Sequence, residues 1–208
     1  MNHTAVTQGS NFVHKAIKYL NNTGEHIPLV LGEVDNTLEN RSVGTSLNGV
    51  LGSALWQVDF SLYSMFIGVA GINMQSGVSF PFSLWHPKIN DTPGEVLPAF
   101  YGQIFAAEFI GVHDNVRLAN IDLNSPFLSA YATYEDGALT ARVEKLTSPD
   151  GGTALASDNI TWAGMQWTYE NNGTGVSVLN DTQVLQVQNG AIDLKVNASE
   201  AVMVFLQR

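Results

Sequence analysis

The chain has 208 residues, of which 45% are hydrophobic and 13% are charged, and its formal net charge at pH 7 is -10. This composition is typical of a packed globular protein and excludes a largely disordered one. Because acidic residues outnumber basic ones 19 to 9, we expect no nucleic-acid partner and no anionic membrane partner. No apolar run approaches the roughly 18 to 20 residues of a membrane span.

Acceptor sites for N-glycosylation are in excess. The eight Asn-x-Ser/Thr sequons begin at Asn2, Asn21, Asn40, Asn90, Asn159, Asn172, Asn180 and Asn197. Chance would give about two or three in such a composition. The residues after Met1 have neither the basic nor the apolar region of a signal peptide. These patterns predict an extracellular full-length parent, in which Met1 is an internal methionine. The absence of Cys excludes disulfides and thiolate chemistry.

Residues 10–110 alternate between helical periodicity and short apolar runs, which indicates β/α units around a parallel sheet. Apolar residues in 12–20 share one helix face, and the polar stretch 21–24 ends that helix. The apolar run 27–31 predicts a short buried strand that leads into Gly32 and Glu33.

A second helix–strand unit follows. Apolar residues at i, i+3, i+4 and i+7 spacing predict a long amphipathic helix over 47–65, with Trp56 in the core. A strand is predicted at 66–72, an aromatic and proline-rich loop at 73–94, and a further helix at 97–110.

Beyond Gly111 the pattern changes to alternating residues separated by turn dipeptides, which is typical of antiparallel β structure. Five strands are predicted, at 129–134, 139–143, 184–187, 192–196 and 202–206. The turns Glu135-Asp136-Gly137 and Asn189-Gly190 predict two hairpins among them. We therefore predict a β/α domain over 1–110 and an antiparallel β-sandwich over 111–208.

Glu33 is the first candidate for catalysis. A carboxylate at the carboxyl end of a parallel strand, next to a Gly that permits close backbone approach, stands where β/α barrels build their active sites. In partly desolvated surroundings it could act as the nucleophile at an oxocarbenium-like centre. The alternatives are a strand-end Glu that caps the next helix or one that faces solvent.

The aromatic loop offers candidates for substrate binding, with Trp85 and His86 as residues that could line a sugar subsite. Aromatic residues in such a loop are about as often packing residues. The five histidines, at 3, 14, 26, 86 and 113, show no metal-ligand spacing. No phosphate-binding loop is present, so neither a metal nor a cofactor is predicted.

Several stretches resemble fungal glycoside hydrolases of family 79. They are PLVLGE at 28–33, GVLGSALWQVDF at 49–60, NMQ at 73–75 and YGQIFAAEFIG at 101–111. The Leu-Gly-Glu element is also similar to that of heparanase. Two further stretches, ITWAG at 160–164 and ASEAV at 198–202, resemble the carboxyl-terminal β-domain of the family, so the resemblance covers nearly the whole chain.

The resemblance implies about the last two β/α units of a (β/α)8 barrel followed by a β-sandwich. It implies that Glu33 is the catalytic nucleophile of a retaining mechanism. The family takes its second carboxyl, the acid/base, from a Glu after the fourth barrel strand, which has no counterpart in these 208 residues. Phe82 replaces a glucuronate-binding Tyr of the family, and Leu38-Glu39-Asn40 replaces its glycine-rich loop.

The implied function is part of a retaining β-glucuronidase-like hydrolase that acts on glucuronide-containing glycans and is inactive alone. No other carboxylate is expected to replace the acid/base: Asp35 is too near Glu33, Asp59 lies in a helix, and Glu95 and Glu108 flank the next one. Two alternatives stay open. One is a subunit of a split hydrolase that associates with a separate amino-terminal barrel half. The other is a non-catalytic carbohydrate-binding or structural β-module.

Overall fold

The computed structural model describes residues 2–24, 27–36, 49–78, 80, 82–111, 117–133 and 140–207. Within these ranges the helices are α1 (His3–Gly9), α2 (Asn11–Thr23), α3 (Leu51–Phe66) and α4 (Pro98–Ile110), and a short 3-10 helix covers Gly151–Thr153. The strands are β1 (Val30–Val34), β2 (Gly71–Met74), β3 (Trp85–His86), β4 (Glu95–Val96), β5 (Leu118–Ile121), β6 (Ala130–Thr133), β7 (Thr140–Thr147), β8 (Thr161–Trp162), β9 (Met165–Trp167), β10 (Gly175–Ser177), β11 (Gln183–Gln186) and β12 (Ala201–Gln207).

The helix ends follow from their local sequence. The side-chain oxygen of Asn2 accepts a hydrogen bond from the backbone N–H of Ala5 at 3.1 Å and caps α1. Helix α2 continues through the stretch predicted to end it and stops at Gly24, whose φ of 75° is left-handed. Pro98 begins α4, where its missing N–H would have had no helical partner. Three predicted helices are confirmed, with shifted ends: those over 12–20, 47–65 and 97–110.

Strands β1 and β2 form a parallel pair connected through α3, as the predicted helix–strand units require. The prediction of a buried strand at 27–31 is wrong. The strand is β1, and its Val30 is 50% exposed. Among the described residues β1 pairs with β2 alone, so the strand is not enclosed in a larger sheet. The strand predicted at 66–72 is β2, which starts later because α3 ends one residue later than predicted and the chain turns at Gly68 with φ 102°.

A small core lies between α2 and this parallel pair. Val13 and Ile17 of α2 are buried against Ile67 and Val69, which connect α3 to β2. Leu31 of β1 packs at its margin. Val13 and Ile17 of the predicted apolar face therefore cover one face of the strands, whereas Phe12 of that face is 70% exposed.

The main core joins α3 and α4 to the antiparallel sheet. Leu51 of α3, Tyr101 of α4, and Leu146 and Trp162 of the sheet are each at most 1% exposed. The two helices pack closely because residue 102 is Gly, where a Cβ would lie 2.6 Å from the carbonyl oxygen of Ala54. The prediction that Trp56 is a core residue is only partly met, since its ring is half-buried and stacks on Phe60.

The sheet is antiparallel, with strand order β10-β9-β8-β7-β11 and with β12 paired along β7. Strands β5 and β6 form a separate antiparallel pair that packs against α3. This confirms the all-β character of the carboxyl-terminal part. The final strand predicted at 202–206 is confirmed as β12.

The predicted hairpins are only partly correct. Strand β6 pairs with β5, whereas β7 pairs with β8, β11 and β12, so the pairing expected between 129–134 and 139–143 is wrong. The turn 135–137 lies outside the described residues. At Asn189-Gly190 the turn is confirmed by φ values of 52° and 75°, but 192–196 forms no strand. The pairing of β6 with β5 depends on how these two strands pack on α3, and the residues of a turn do not predict such a long-range contact.

The predicted domain boundary between residues 110 and 111 does not coincide with a break in packing. Tyr101 and Phe105 of α4 share one core with Trp162 and Met203 of the sheet. What the structure shows is a parallel strand pair with helices, attached to an antiparallel sheet. The barrel segment, the sandwich and the domain limits stay predictions.

A buried carboxylate ties α1, α3 and β6 together. Asp59 is 1% exposed, and both of its side-chain oxygens lie 3.0 Å from Nδ1 of His3. The Tyr131 hydroxyl donates to Asp59 Oδ1 at 2.7 Å. Burial, together with the charge of Asp59, raises the pKa of Tyr131. The hydroxyl therefore stays protonated and remains a donor to Asp59 at neutral pH.

Tyr131→Phe should destabilise the chain, because it removes a hydrogen bond to a buried carboxylate. We expect the free energy of unfolding to fall by about 1.5 to 3 kcal/mol, the contribution typical of such bonds. Urea denaturation at neutral pH measures it. Tyr19→Phe is the matched control, since that ring is 69% exposed on α2. Equal effects of the two substitutions would contradict the role given to Tyr131.

A second buried carboxylate lies where α4 meets the sheet. Glu144 of β7 is 4% exposed and forms an ion pair with Arg142 through Oε1, while Oε2 has no hydrogen-bond partner within the described residues. Nearby, Glu108 accepts a hydrogen bond from Nε1 of Trp162 at 2.8 Å. Burial raises the pKa of Glu144; the charge of Arg142 opposes this rise and that of Glu108 adds to it.

Glu200, just before β12, shows the opposite shift. Burial favours its protonated form, but hydrogen bonds from Asn197, the charge of Lys145 and a hydrogen bond from Thr147 outweigh burial. The net result is a lowered pKa of Glu200.

The two carboxylates should give stability opposite dependences on pH. A raised folded-state pKa makes the free energy of unfolding fall as pH rises from the unfolded-state pKa of Glu, about 4.3, through the folded-state value. A lowered pKa makes it fall as pH drops through the folded-state value. Relative to the parent chain, Glu144→Gln should therefore gain stability as pH rises, and Glu200→Gln should lose it. Urea unfolding across the acidic range tests this, and slopes of the same sign would contradict it.

Candidate active site

Glu33 is the next-to-last residue of β1, near the carboxyl end of a parallel strand. Its side chain is exposed and makes no hydrogen bond or ion pair with another described residue. A Cβ at Gly32 would meet nothing within 4 Å, so the space beside Glu33 is open. The predicted strand-end location is confirmed to within a residue. The loop that contains Leu38-Glu39-Asn40 lies outside the described residues.

The loop after β2 leaves the sheet at the same end as Glu33. Parallel strands end at one edge, and the N–H of Gln75 donates to the carbonyl of Val34 at 2.8 Å. The chain then passes through an aromatic segment into β3 and β4, which pair Trp85 with Val96. The loop that carries the aromatic residues therefore begins at the edge that carries the carboxylate.

The aromatic residues predicted for substrate binding differ in exposure. Trp85 is 50% exposed on the short hairpin, so about half of its surface is open to solvent. Phe82 is 8% exposed, and its ring stacks on Phe80 with centroids 5.0 Å apart. The structure thus leaves Trp85 open for stacking and uses Phe82 in packing.

His86 is held by its own loop. Its Nε2 donates to the carbonyl of Phe80 at 2.8 Å, and its Nδ1 lies 3.2 Å from Oε1 of Glu95. Buried Ser83 closes the same loop, since its hydroxyl donates to the carbonyl of Gly77 at 2.8 Å and accepts from the Gly77 N–H at 3.0 Å. These hydrogen bonds hold the loop that leads into the β3–β4 hairpin, on which Trp85 lies.

The sequence did not predict a contact between the aromatic loop and the β part of the chain. The hydroxyl of Tyr169, after β9, accepts a hydrogen bond from the backbone N–H of Lys88 at 3.2 Å. A Cβ at Gly94 would lie 2.3 Å from the Tyr169 ring, so Gly is required there. The one signal in the sequence was Gly94 after Pro93, which reads equally well as an ordinary turn.

The remaining candidate carboxylates are engaged elsewhere. Asp59 is buried with His3 and Tyr131, Glu95 contacts His86, and Glu108 accepts from Trp162. Glu108 lies inside the last turn of α4, so the expectation that it flanks the helix is wrong. None of the three contacts Glu33 in the described part of the chain.

The residues that the structure describes contain no group of three or more His, Asp or Glu side chains arranged to hold a metal ion. None of their helices is both long and apolar enough to cross a membrane.

The strands of the carboxyl-terminal part define the class of protein. Residues 119–203 match the family model described as Glycosyl hydrolase family 79 C-terminal beta domain. The matched range runs from β5 into β12 and includes the antiparallel sheet.

Two curated relatives are fungal. The chain is 35% identical to a β-glucuronidase of Neurospora crassa over 126 residues, which covers 54% of this chain and 22% of that protein. It is 31% identical to a β-glucuronidase of Aspergillus niger over 144 residues, which covers 67% of this chain and 26% of that protein. The chain thus matches about a quarter of the length of these relatives.

A solved structure supports the fold over the whole chain. It is a 4-O-α-L-rhamnosyl-β-D-glucuronidase of Fusarium oxysporum in complex with Rha-GlcA. The match covers 100% of this chain and 47% of that protein's chain, with a TM-score of 0.71 and 15% sequence identity. Together these matches confirm the resemblance stated from the motifs: the chain corresponds to the carboxyl-terminal portion of glycoside hydrolase family 79.

Proposed function

We propose that this chain supplies the nucleophile of a retaining β-glucuronidase-type hydrolase and that Glu33 is that nucleophile. The observation that carries the proposal is the position of Glu33, an exposed carboxylate near the carboxyl end of a parallel strand, at the edge from which the aromatic loop leaves. Catalytic residues of β/α enzymes stand at this end of their strands. The fungal β-glucuronidase relatives support a glucuronide as the substrate.

The chemistry assigned to Glu33 is nucleophilic. Its carboxylate oxygen attacks the anomeric carbon while the glycosidic bond to the leaving oxygen breaks, and a covalent glycosyl ester forms. Water then attacks the same carbon and releases Glu33. Each half of the reaction needs a second carboxyl group, which first protonates the leaving oxygen and then deprotonates the water.

We place this second carboxyl outside the described residues. It must stand about 5 to 5.5 Å from the nucleophile in a retaining enzyme, and Asp59, Glu95 and Glu108 are committed to other contacts. Asp35 is two residues from Glu33 and too close to flank a sugar with it. The described residues alone are therefore not expected to hydrolyse a glucuronide whose leaving group needs a proton.

The open face of Trp85 serves as a stacking platform for a pyranose ring. Phe82 and His86 contribute by holding the hairpin, through ring stacking on Phe80 and the hydrogen bond to its carbonyl. In this arrangement the sugar lies between the aromatic loop and Glu33.

A non-catalytic carbohydrate-binding module is the second candidate, and the half-exposed Trp85 is the observation that favours it. It predicts sugar binding without covalent chemistry at Glu33. A subunit of a split hydrolase differs from both, because a separately encoded amino-terminal barrel half would restore turnover of ordinary glucuronides.

We also infer that the protein passes through the secretory pathway. All seven sequon asparagines that the structure describes are exposed, and the eighth, Asn40, lies outside the described residues. An N-glycan is bulky and hydrated, so an asparagine that carries one lies at the surface of the folded protein.

A sugar with an activated leaving group tests the nucleophile independently of the acid/base residue. A 2-deoxy-2-fluoro-β-glucuronyl fluoride loses fluoride without protonation, so the chain should form a covalent adduct at Glu33 that mass spectrometry of peptides locates. Glu33→Gln should abolish the adduct, and neither protein should hydrolyse an alkyl glucuronide. Glu170→Gln, an exposed carboxylate in the turn after β9, is the control that keeps the label. A label on another residue would contradict the assignment.

Trp85→Ala should weaken glucuronide binding with little change in stability. Aromatic stacking contributes about 0.5–1.5 kcal/mol, so we expect an increase in Kd of about three- to tenfold. Calorimetric titration in the Glu33→Gln background measures binding without turnover. Phe127→Ala, a ring that is 73% exposed on the β5–β6 connection, is the control. Unchanged affinity in Trp85→Ala would remove this residue from the site.

A further inference from the structure

Strand β10 is an open edge of the six-stranded sheet. Among the described residues it pairs with β9 alone. Val176, Val178 and Leu179 in and after this strand are 41%, 53% and 53% exposed. An edge with unpaired backbone groups and exposed apolar side chains is a template for pairing with a second chain.

Apart from its short length of three residues, β10 lacks the usual protections of an edge strand. Natural edges carry Lys or other charges, Pro, or a bulge that interrupts pairing. The stretch 175–179 reads Gly-Val-Ser-Val-Leu and contains neither a charge nor a Pro. The register of β10 on β9 advances one residue at a time, so no bulge interrupts it.

Two glycosylation sequons flank this edge. Asn172 lies in the turn between β9 and β10, where its N–H donates to the carbonyl of Tyr169 at 2.9 Å and the Gly173 N–H donates to that of Thr168 at 3.1 Å. Both Asn172 and Gly173 are left-handed, with φ of 52° and 68°. A Cβ at Gly173 would meet nothing within 4 Å, so the tip of the turn has open space around it.

Asn180 lies on the other side, between β10 and β11, and is also exposed. Thr174 and Thr182, the hydroxyl residues of the two sequons, are exposed as well. The sequon at Asn159 differs, because its Thr161 is only 5% exposed inside the sheet. The pair around β10 is therefore built on open turns.

We propose that Asn172 and Asn180 carry N-glycans and that these two glycans prevent β10 from pairing with a second chain. The donor is a lipid-diphosphate-linked oligosaccharide. A bond forms between the side-chain nitrogen of Asn and the anomeric carbon, the bond from that carbon to the diphosphate oxygen breaks, and the nitrogen loses one proton to a base. The proposal rests on secretory passage and is independent of the chemistry at Glu33, so failure of either leaves the other in place.

Occupancy is tested first. The chain is expressed behind an added export signal in a yeast host, the glycans are trimmed with an endoglycosidase that leaves one sugar, and peptides are mapped by mass spectrometry. We expect that single sugar on both Asn172 and Asn180. An unmodified asparagine at either position overturns the proposal.

The effect on the edge is tested by cross-linking. Because the chain has no Cys, Val176→Cys reports pairing of two β10 edges as a disulfide-linked dimer on a non-reducing gel. We expect at least about threefold more dimer when Asn172→Gln and Asn180→Gln are added. Asn21→Gln removes a sequon on α2 whose Asn and Thr are both exposed, and it should leave the dimer fraction unchanged. Equal dimer fractions in the two backgrounds overturn the proposal.

Trimming gives a second measurement that does not depend on folding of the double variant. The folded, glycosylated Val176→Cys protein is treated with the same endoglycosidase under native conditions. We expect dimer formation to rise to the level of the Asn172→Gln and Asn180→Gln background. A dimer fraction that trimming does not change contradicts the protective role of these glycans.

Discussion

Burial of α3 is the constraint on which the rest of the structure depends. This helix contributes Leu51, Ala54 and Leu62 to the core shared with α4 and the sheet, and its last turn leads into Ile67 of the second core. Several of its polar side chains are buried as well, and a buried charged group is costly unless it is paired. Asp59 finds them in His3 and Tyr131, which draws α1 and β6 onto the helix.

The same helix sets the position of the candidate nucleophile. It connects β1 to β2, so the packing that places α3 against the sheet also places the strand of Glu33. Strand β1 itself is held on one side by β2 and covered by α2, and Glu33 faces solvent. A glycosidase carboxylate is tuned by partial burial and by a partner carboxyl.

The β part of the chain is more than an attachment to this site. Tyr169 reaches the hairpin of Trp85 through the backbone of Lys88, and α4 shares its core with the sheet through Tyr101 and Trp162. The aromatic loop is thereby fixed from two directions, by β2 and by the turn after β9. A displacement of the sheet would be transmitted to the residues expected to hold the sugar.

What the sequence alone determined are features with local causes. Helical periodicity located α2, α3 and α4; the short apolar runs located β1 and β2 approximately; the Leu-Gly-Glu element singled out Glu33; and Asn189-Gly190 marked a turn. Each depends on side-chain spacing within a few residues, or on a residue such as Gly that few others replace. These features are written in consecutive positions.

Tertiary structure decided what depends on distant neighbours. The pairing of β6 with β5, the exposure of Val30 and the partners of Asp59 are set by which surfaces pack on α3, and no local pattern encodes that choice. The same holds for the candidate site: the sequence placed Phe82, Trp85 and His86 together in one loop. Packing then buried Phe82, engaged His86 and left Trp85 open, because hydrogen bonds and ring stacking within the folded loop determine which side chain remains free for a ligand.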